Sequence, residues 1–136
     1  MMTVYSIKSP GGSLFPYYYK GGEIHCLKYG SFYSDHDGLL SLMKLEEAFV
    51  AESRRRLEIW VDLYQTDLPD RVLDEFTASV GRMSPHIAKL AIAGCSIAVK
   101  WKLAGRLKRT EGVSALPLRF FSDPEEAKTW LVGERR

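Results

Sequence analysis

Long hydrophobic runs are missing from this sequence: no apolar stretch approaches the roughly 20 residues that a membrane-crossing helix requires. The opening MMTVYSIKSP has neither the basic start nor the apolar core of a signal peptide, so a cytoplasmic location is expected. Cysteine is scarce. Cys26 and Cys95 form no CxxC pair, which argues against a zinc ribbon or a disulfide framework, and both read as free thiols. Charge of one sign is lacking too: 19 basic against 17 acidic residues leave a net +2, too little to suggest nucleic acid as a partner. Neither GxGxxG nor GxxxxGK[ST] occurs, so the phosphate cradles of dinucleotide and nucleoside triphosphate enzymes are absent. No residue set spells out a reaction, and the expectation is a protein without catalysis, cofactor or metal.

What is present is an ordinary globular composition, 46% hydrophobic and 26% charged over 136 residues, without repeat, linker or low-complexity run. A chain of this length forms one domain and buries about two thirds of its unfolded surface, needing no staple. The strand reading begins with residues 3–8, closed by Ser9-Pro10-Gly11-Gly12. YYYKGGEIHCLKY, residues 17–29, reads as a hairpin turning at Lys20-Gly21-Gly22. A helix should follow, capped by Ser34, with Leu39, Leu42, Met43, Phe49 and Val50 on its apolar face and Arg54-Arg55-Arg56 as a solvated end. LEIWVDL, residues 57–63, is a strand. Asp67 and Pro69 open a second helix whose core face is Val72, Phe76, Val80 and Met83. Residues 90–93 form a short strand covered on both faces, residues 97–109 a basic helix, residues 116–121 the last strand, and Asp123-Pro124-Glu125-Glu126 the start of the last helix. Helices alternating with strands require parallel pairing. The expected fold is α/β: an opening β-hairpin, then a mostly parallel sheet of four to five strands with helices packed on it.

LAIAGCSIAVKWKLAGRLKR, residues 90–109, raises the one pointed functional question. On a helical wheel Ile97, Trp101, Ala104 and Leu107 read as the core face, with Val99 and Leu103 beside it, so Trp101, like Trp60 on its strand, should be buried. Lys102, Arg106 and Arg109 fall opposite, a solvated cationic stripe and a candidate docking surface for an acidic protein. The turn Gly94-Cys95-Ser96 lies where ligands of open α/β sheets gather and where helix amides attract anions, yet a small residue is also needed there simply to turn the corner. Cys95 as a nucleophile would need His36 or His86, and His86 falls at the far end of the same strand. Glu46 sits inside the apolar stripe of the first helix. There it either reaches water at the stripe's edge or, if buried, needs a partner such as Lys100.

The order of elements resembles the STAS domain of anti-sigma factor antagonists, and in particular its SpoIIAA-like branch. KLAIAG, residues 89–94, is similar to the strand before that family's third helix, and LRFFSDPEEAKTWL, residues 118–131, to its closing strand and helix. A weaker likeness covers residues 22–63, so that most of residues 22–131 is included. The resemblance implies a single regulatory or scaffold domain, over residues 1–136, that acts by binding another protein, with a homodimer as an open option. It also implies a phosphorylation switch where the second helix begins. The run DLYQTDLPD, residues 62–70, offers only Thr66 there, between acids that oppose an added phosphate. A carrier or sensor of a small apolar or anionic ligand, bound at the carboxyl ends of the strands, is the alternative that the fold implies.

Overall fold

The structure, a computed structural model, describes residues 7–133. The element order is β1 (Ile7–Lys8), β2 (Leu14–Phe15), β3 (Tyr17–Tyr19), β4 (Gly22–Lys28), α1 (His36–Ser53), β5 (Leu57–Asp62), α2 (Asp70–Met83), β6 (Ile87–Ala93), α3 (Ile97–Lys108), β7 (Leu118–Phe121) and α4 (Pro124–Gly133). A five-stranded sheet runs β3-β4-β5-β6-β7, and β1 with β2 forms a separate small ribbon. Among the described residues only the β3–β4 pair is antiparallel in the main sheet. The fold is therefore the expected α/β arrangement. Of the first expected strand, residues 3–6 lie outside the described residues.

Local chemistry accounts for the hairpin. Tyr19 pairs with Gly22, and between them Lys20 and Gly21 both adopt positive φ, 48° and 85°, the two-residue turn whose twist matches that of the strands. From β4 onward each parallel strand is added beside its predecessor on the same side. Successive crossovers of one hand then place α1, α2 and α3 on one face of the sheet. The alternation of β4 and β5 divides the core accordingly: Leu27, Tyr29, Ile59 and Val61 pack under those helices, while Ile24 and Trp60 face α4. Trp60 is 9% exposed, as its place on the central strand suggested. Ala91, Ala93 and Ala127 supply the small residues of the α4 layer.

Several boundaries differ from expectation. Strand β6 begins at Ile87 rather than Leu90, because a register shift between Leu57 and Glu58 absorbs an extra residue and lets Ile87 and Leu90 enter the same core. Asp35, not Ser34, caps α1, its carboxylate accepting from the Gly38 amide at 3.1 Å. Helix α2 starts at Asp70 behind Pro69 without a side-chain cap, so Asp67 does not open it. Arg54 ends α1 in the left-handed conformation, and its neighbours are tied to the amino ends of interior strands: Arg55 forks onto Glu23 of β4 at 2.6 and 3.1 Å, and Arg56 donates to the Ile87 carbonyl of β6 at 3.0 Å.

The main correction is the facing of α3. Ile97 and Trp101, expected in the core, are 76% and 74% exposed, whereas Leu103 and Leu107 are buried and Val99 packs against the same core. The helix carries two apolar stripes nearly half a turn apart. Val99, Leu103 and Leu107 repeat along its whole length. Ile97 and Trp101 are followed one turn on by Gly105, so their stripe has nothing with which to cover the sheet at its far end. The continuous stripe takes the core, and Trp101 is left in solvent.

Candidate functional site

Three loops meet at the carboxyl ends of the parallel strands. The backbone of residues 29–33, after β4, runs beside that of residues 64–67, after β5. Ser31 N–H donates to the Tyr64 carbonyl at 2.6 Å, Tyr33 N–H to that of Gln65 at 2.9 Å, and Asp67 N–H to that of Tyr33 at 2.7 Å. Tyr33 and Thr66 thereby form an isolated parallel bridge that prolongs the sheet past its strands. Positive φ at Ser31, Tyr33 and Gln65 lets the two loops curl over the sheet end. A cleft of about 540 Å³ opens between them and the β6–α3 turn, lined among others by Tyr33, Thr66, Leu68, Gly94, Cys95 and Ser96. Parallel topology thus unites the Thr66 loop and the Gly94-Cys95-Ser96 turn, which the sequence offered as separate candidates.

Each of these residues has a structural task. Gly94 has φ 99°, and a Cβ there would lie 2.6 Å from the Tyr64 amide nitrogen, so only glycine can make the corner. The Ser96 hydroxyl caps α3, accepting from the Val99 amide at 3.2 Å. The Thr66 hydroxyl donates to the Tyr29 carbonyl at 2.8 Å and accepts from the Phe32 amide at 3.0 Å, locking the two loops together. Phosphorylation would remove that donor and place a dianion beside Asp67. Burial pushes the Cys95 thiol up to about 11, with Lys100 opposing, so at neutral pH it is protonated and a poor nucleophile.

The cationic stripe of α3 is largely engaged within the molecule. Arg106 Nε lies 2.7 Å from Asp74 and Nη2 3.2 Å from Asp70, while Lys102 lies 3.6 Å from Asp70. Arg106 and Lys102 therefore clasp α3 to α2, and Arg109 stands exposed at the end of the helix. Three cations on one face proved a poor guide to a free docking charge, because the acids of the neighbouring helix are invisible to a wheel of α3 alone.

Glu46 is buried, and its partner is not Lys100, whose ammonium lies 5.7 Å from the centre of the Phe120 ring. Its carboxylate accepts from the Ser9 hydroxyl at 2.7 Å and the Gly11 amide at 2.8 Å, and lies 3.2 Å from His25 Nε2. His25 and Glu46 are both 0% exposed, with His25 enclosed between the Phe15 and Phe49 rings. His25 Nδ1 has no hydrogen-bond partner among the described residues. A pair so sealed meets no substrate; it fastens the Ser9–Gly11 segment and α1 to the sheet. The signal available in sequence was a carboxylate inside an apolar stripe, and its partners lie 21 to 37 residues away along the chain.

Among the described residues no group of three His, Cys, Asp or Glu side chains could hold a metal ion, and no helix is long and apolar enough to cross a membrane. Comparison of the chain with family models, with curated proteins and with solved structures returns no match.

Proposed function

We propose that this protein is a non-enzymatic binding domain, similar to the STAS regulatory modules, that docks a protein partner at the carboxyl-end rim of its sheet. The observation that carries the reading is the exposed pair Ile97 and Trp101. Ile97 directly follows Ser96 of the cleft, Trp101 lies one turn on, and Tyr33 on the cleft's own wall is also exposed. Large apolar side chains left in water next to a concave surface are the anatomy of a protein interface, and tryptophan is the residue most often found to dominate one. The surface chemistry calls for an apolar anchor on the partner, with Arg109 available to an acidic residue at the margin.

A photo-crosslinking residue replacing Trp101, expressed in the native host, should capture a discrete protein that the same residue at Leu45, an exposed apolar position of α1, does not. With that partner purified, Trp101→Ala combined with Ile97→Ser should weaken the complex by roughly thirtyfold or more, about 2 kcal/mol. Equal capture at both positions, or an unchanged dissociation constant, would remove the basis for this interface.

A further inference from the structure

The alternation of β4 that turns His25 and Leu27 under α1 turns Cys26 and Lys28 the other way, toward the layer of α4. That layer is short of cover. Helix α4 has ten residues, and its buried side chains, Ala127, Leu131 and Val132, pack with Ile24, Trp60, Ala91 and Ala93. The β1–β2 ribbon comes over the remaining part, anchored by the Ser13 hydroxyl, which donates to the Cys26 carbonyl at 2.6 Å. Between ribbon and helix lies a recess of about 500 Å³, within the range that holds small ligands. It shares no lining residue with the carboxyl-end cleft.

Its chemistry is two-part. Trp60, Tyr17 and Leu14 give it apolar walls, and Lys8, Lys28 and Lys128 bring three ammonium groups to it, while among the described residues no carboxylate lines it. Burial, with the charge of Asp62 adding to it, pushes the Cys26 thiol up to about 12, so that side chain is neutral and unreactive. Like charges gathered around a concave, partly apolar surface focus a positive potential into it. Lys8 and Lys28 are exposed, while Lys128 is mostly buried, its ammonium 5.0 Å from the centre of the Tyr19 ring and 5.9 Å from that of Trp60. Lys28 reaches the Gly12 carbonyl only at 3.5 Å. Lys128 pairs at 3.0 Å with Glu125, an exposed carboxylate that also accepts from the Tyr19 hydroxyl at 2.8 Å. Glu125 is exposed, so water screens its hold on Lys128 and a better-placed anion can compete for that ammonium.

We propose that this recess binds an amphipathic anion: an apolar body lying against Trp60, Tyr17 and Leu14, with one carboxylate, sulfonate or phosphate held by Lys28 and Lys128 and steered by Lys8. This site is independent of the protein-docking rim and goes beyond that reading.

The probe is 8-anilinonaphthalene-1-sulfonate, and its uncharged counterpart N-phenyl-1-naphthylamine supplies the same apolar body without the anion. Titrated into the folded protein and followed by amide chemical shifts, the sulfonate should saturate one site. It should shift Gly12, Ser13, Cys26, Lys28 and Lys128 and leave Ile97 and Trp101 in place. The uncharged counterpart should bind at least about tenfold more weakly. Lys28→Ala with Lys128→Ala should reduce sulfonate affinity about tenfold or more, as expected for a charge-assisted contact, whereas Lys102→Ala should leave it unchanged. Equal affinity for the two probes, lysine substitutions without effect, or shifts centred on Ile97 and Trp101 would overturn the proposal. The wild-type shift map decides it even if the double variant fails to fold.

Discussion

The two faces of the sheet are built from the same strands and closed to different degrees. Under α1, α2 and α3 the clustered core side chains are at most 5% exposed, and even the polar pair His25 and Glu46 is 0% exposed. Under α4 one short helix covers the middle, Trp60 and Cys26 keep part of their surface, and lysines stand around what remains open. The difference follows from topology. Stepping from strand to adjacent strand in one direction stacks every crossover helix on one side, and the other side receives only what precedes the first parallel strand or follows the last, the β1–β2 ribbon and α4. A fold so arranged has a stability face and a spare face, and the spare face is where a recess costs least.

The comparison is most severely tested at Glu46. Glu46→Ala should destabilise the protein by about 3–5 kcal/mol, because it leaves a buried histidine, the Ser9 hydroxyl and the Gly11 amide without their acceptor. Glu46→Gln, which keeps an acceptor oxygen, should cost less than half of that; equilibrium urea unfolding reads both. Equal and small losses would mean that the closed face tolerates water at its centre. On the spare face Ala127→Leu should cost about 1–3 kcal/mol by overpacking α4 against Ala91 and Ala93. A loss near zero in the same unfolding assay would show that α4 rides loosely enough to reseat. The smallest effect belongs to α3. Trp101→Ser should change stability by less than about 0.5 kcal/mol, and acrylamide should quench a large share of the wild-type tryptophan emission that disappears in this variant. A larger stability loss would return Trp101 to the core.

What could be read from the sequence was what neighbouring residues decide together. Lys20-Gly21 declares its turn, Asp123-Pro124 declares a helix start, with the Asp123 carboxylate accepting from the Glu125 amide at 3.0 Å, and the β5 apolar run declares a central strand. Long-range chemistry was harder to read. Glu46 announced itself as anomalous, but the Ser9 hydroxyl that holds it is 37 residues away and arrives only when the β1–β2 ribbon folds over the sheet edge. Helix α3 is ambiguous for a different reason: with Ile97, Val99, Trp101 and Leu103 at every second position, two wheels are equally apolar locally, and only the sheet beneath chooses. The carboxyl-end cleft was half legible, since parallel topology alone brings the Thr66 loop and the Gly94 turn to the same end, while the commitment of the Thr66 hydroxyl to the Tyr29 carbonyl was not.

The bridge between Tyr33 and Thr66 bears on how the rim behaves in time. By position these residues belong to connecting loops, the segments where backbone amides ordinarily trade their protons with water fastest. Here the Tyr33 and Asp67 amides are each donated to a carbonyl of the opposing loop, and the Phe32 amide is donated to the Thr66 hydroxyl. These three should therefore exchange with deuterium together and slowly, opening in step with the ends of β4 and β5. A partner arriving there would meet a rim already ordered by folding, and would lose little of its binding free energy to stiffening the surface it touches.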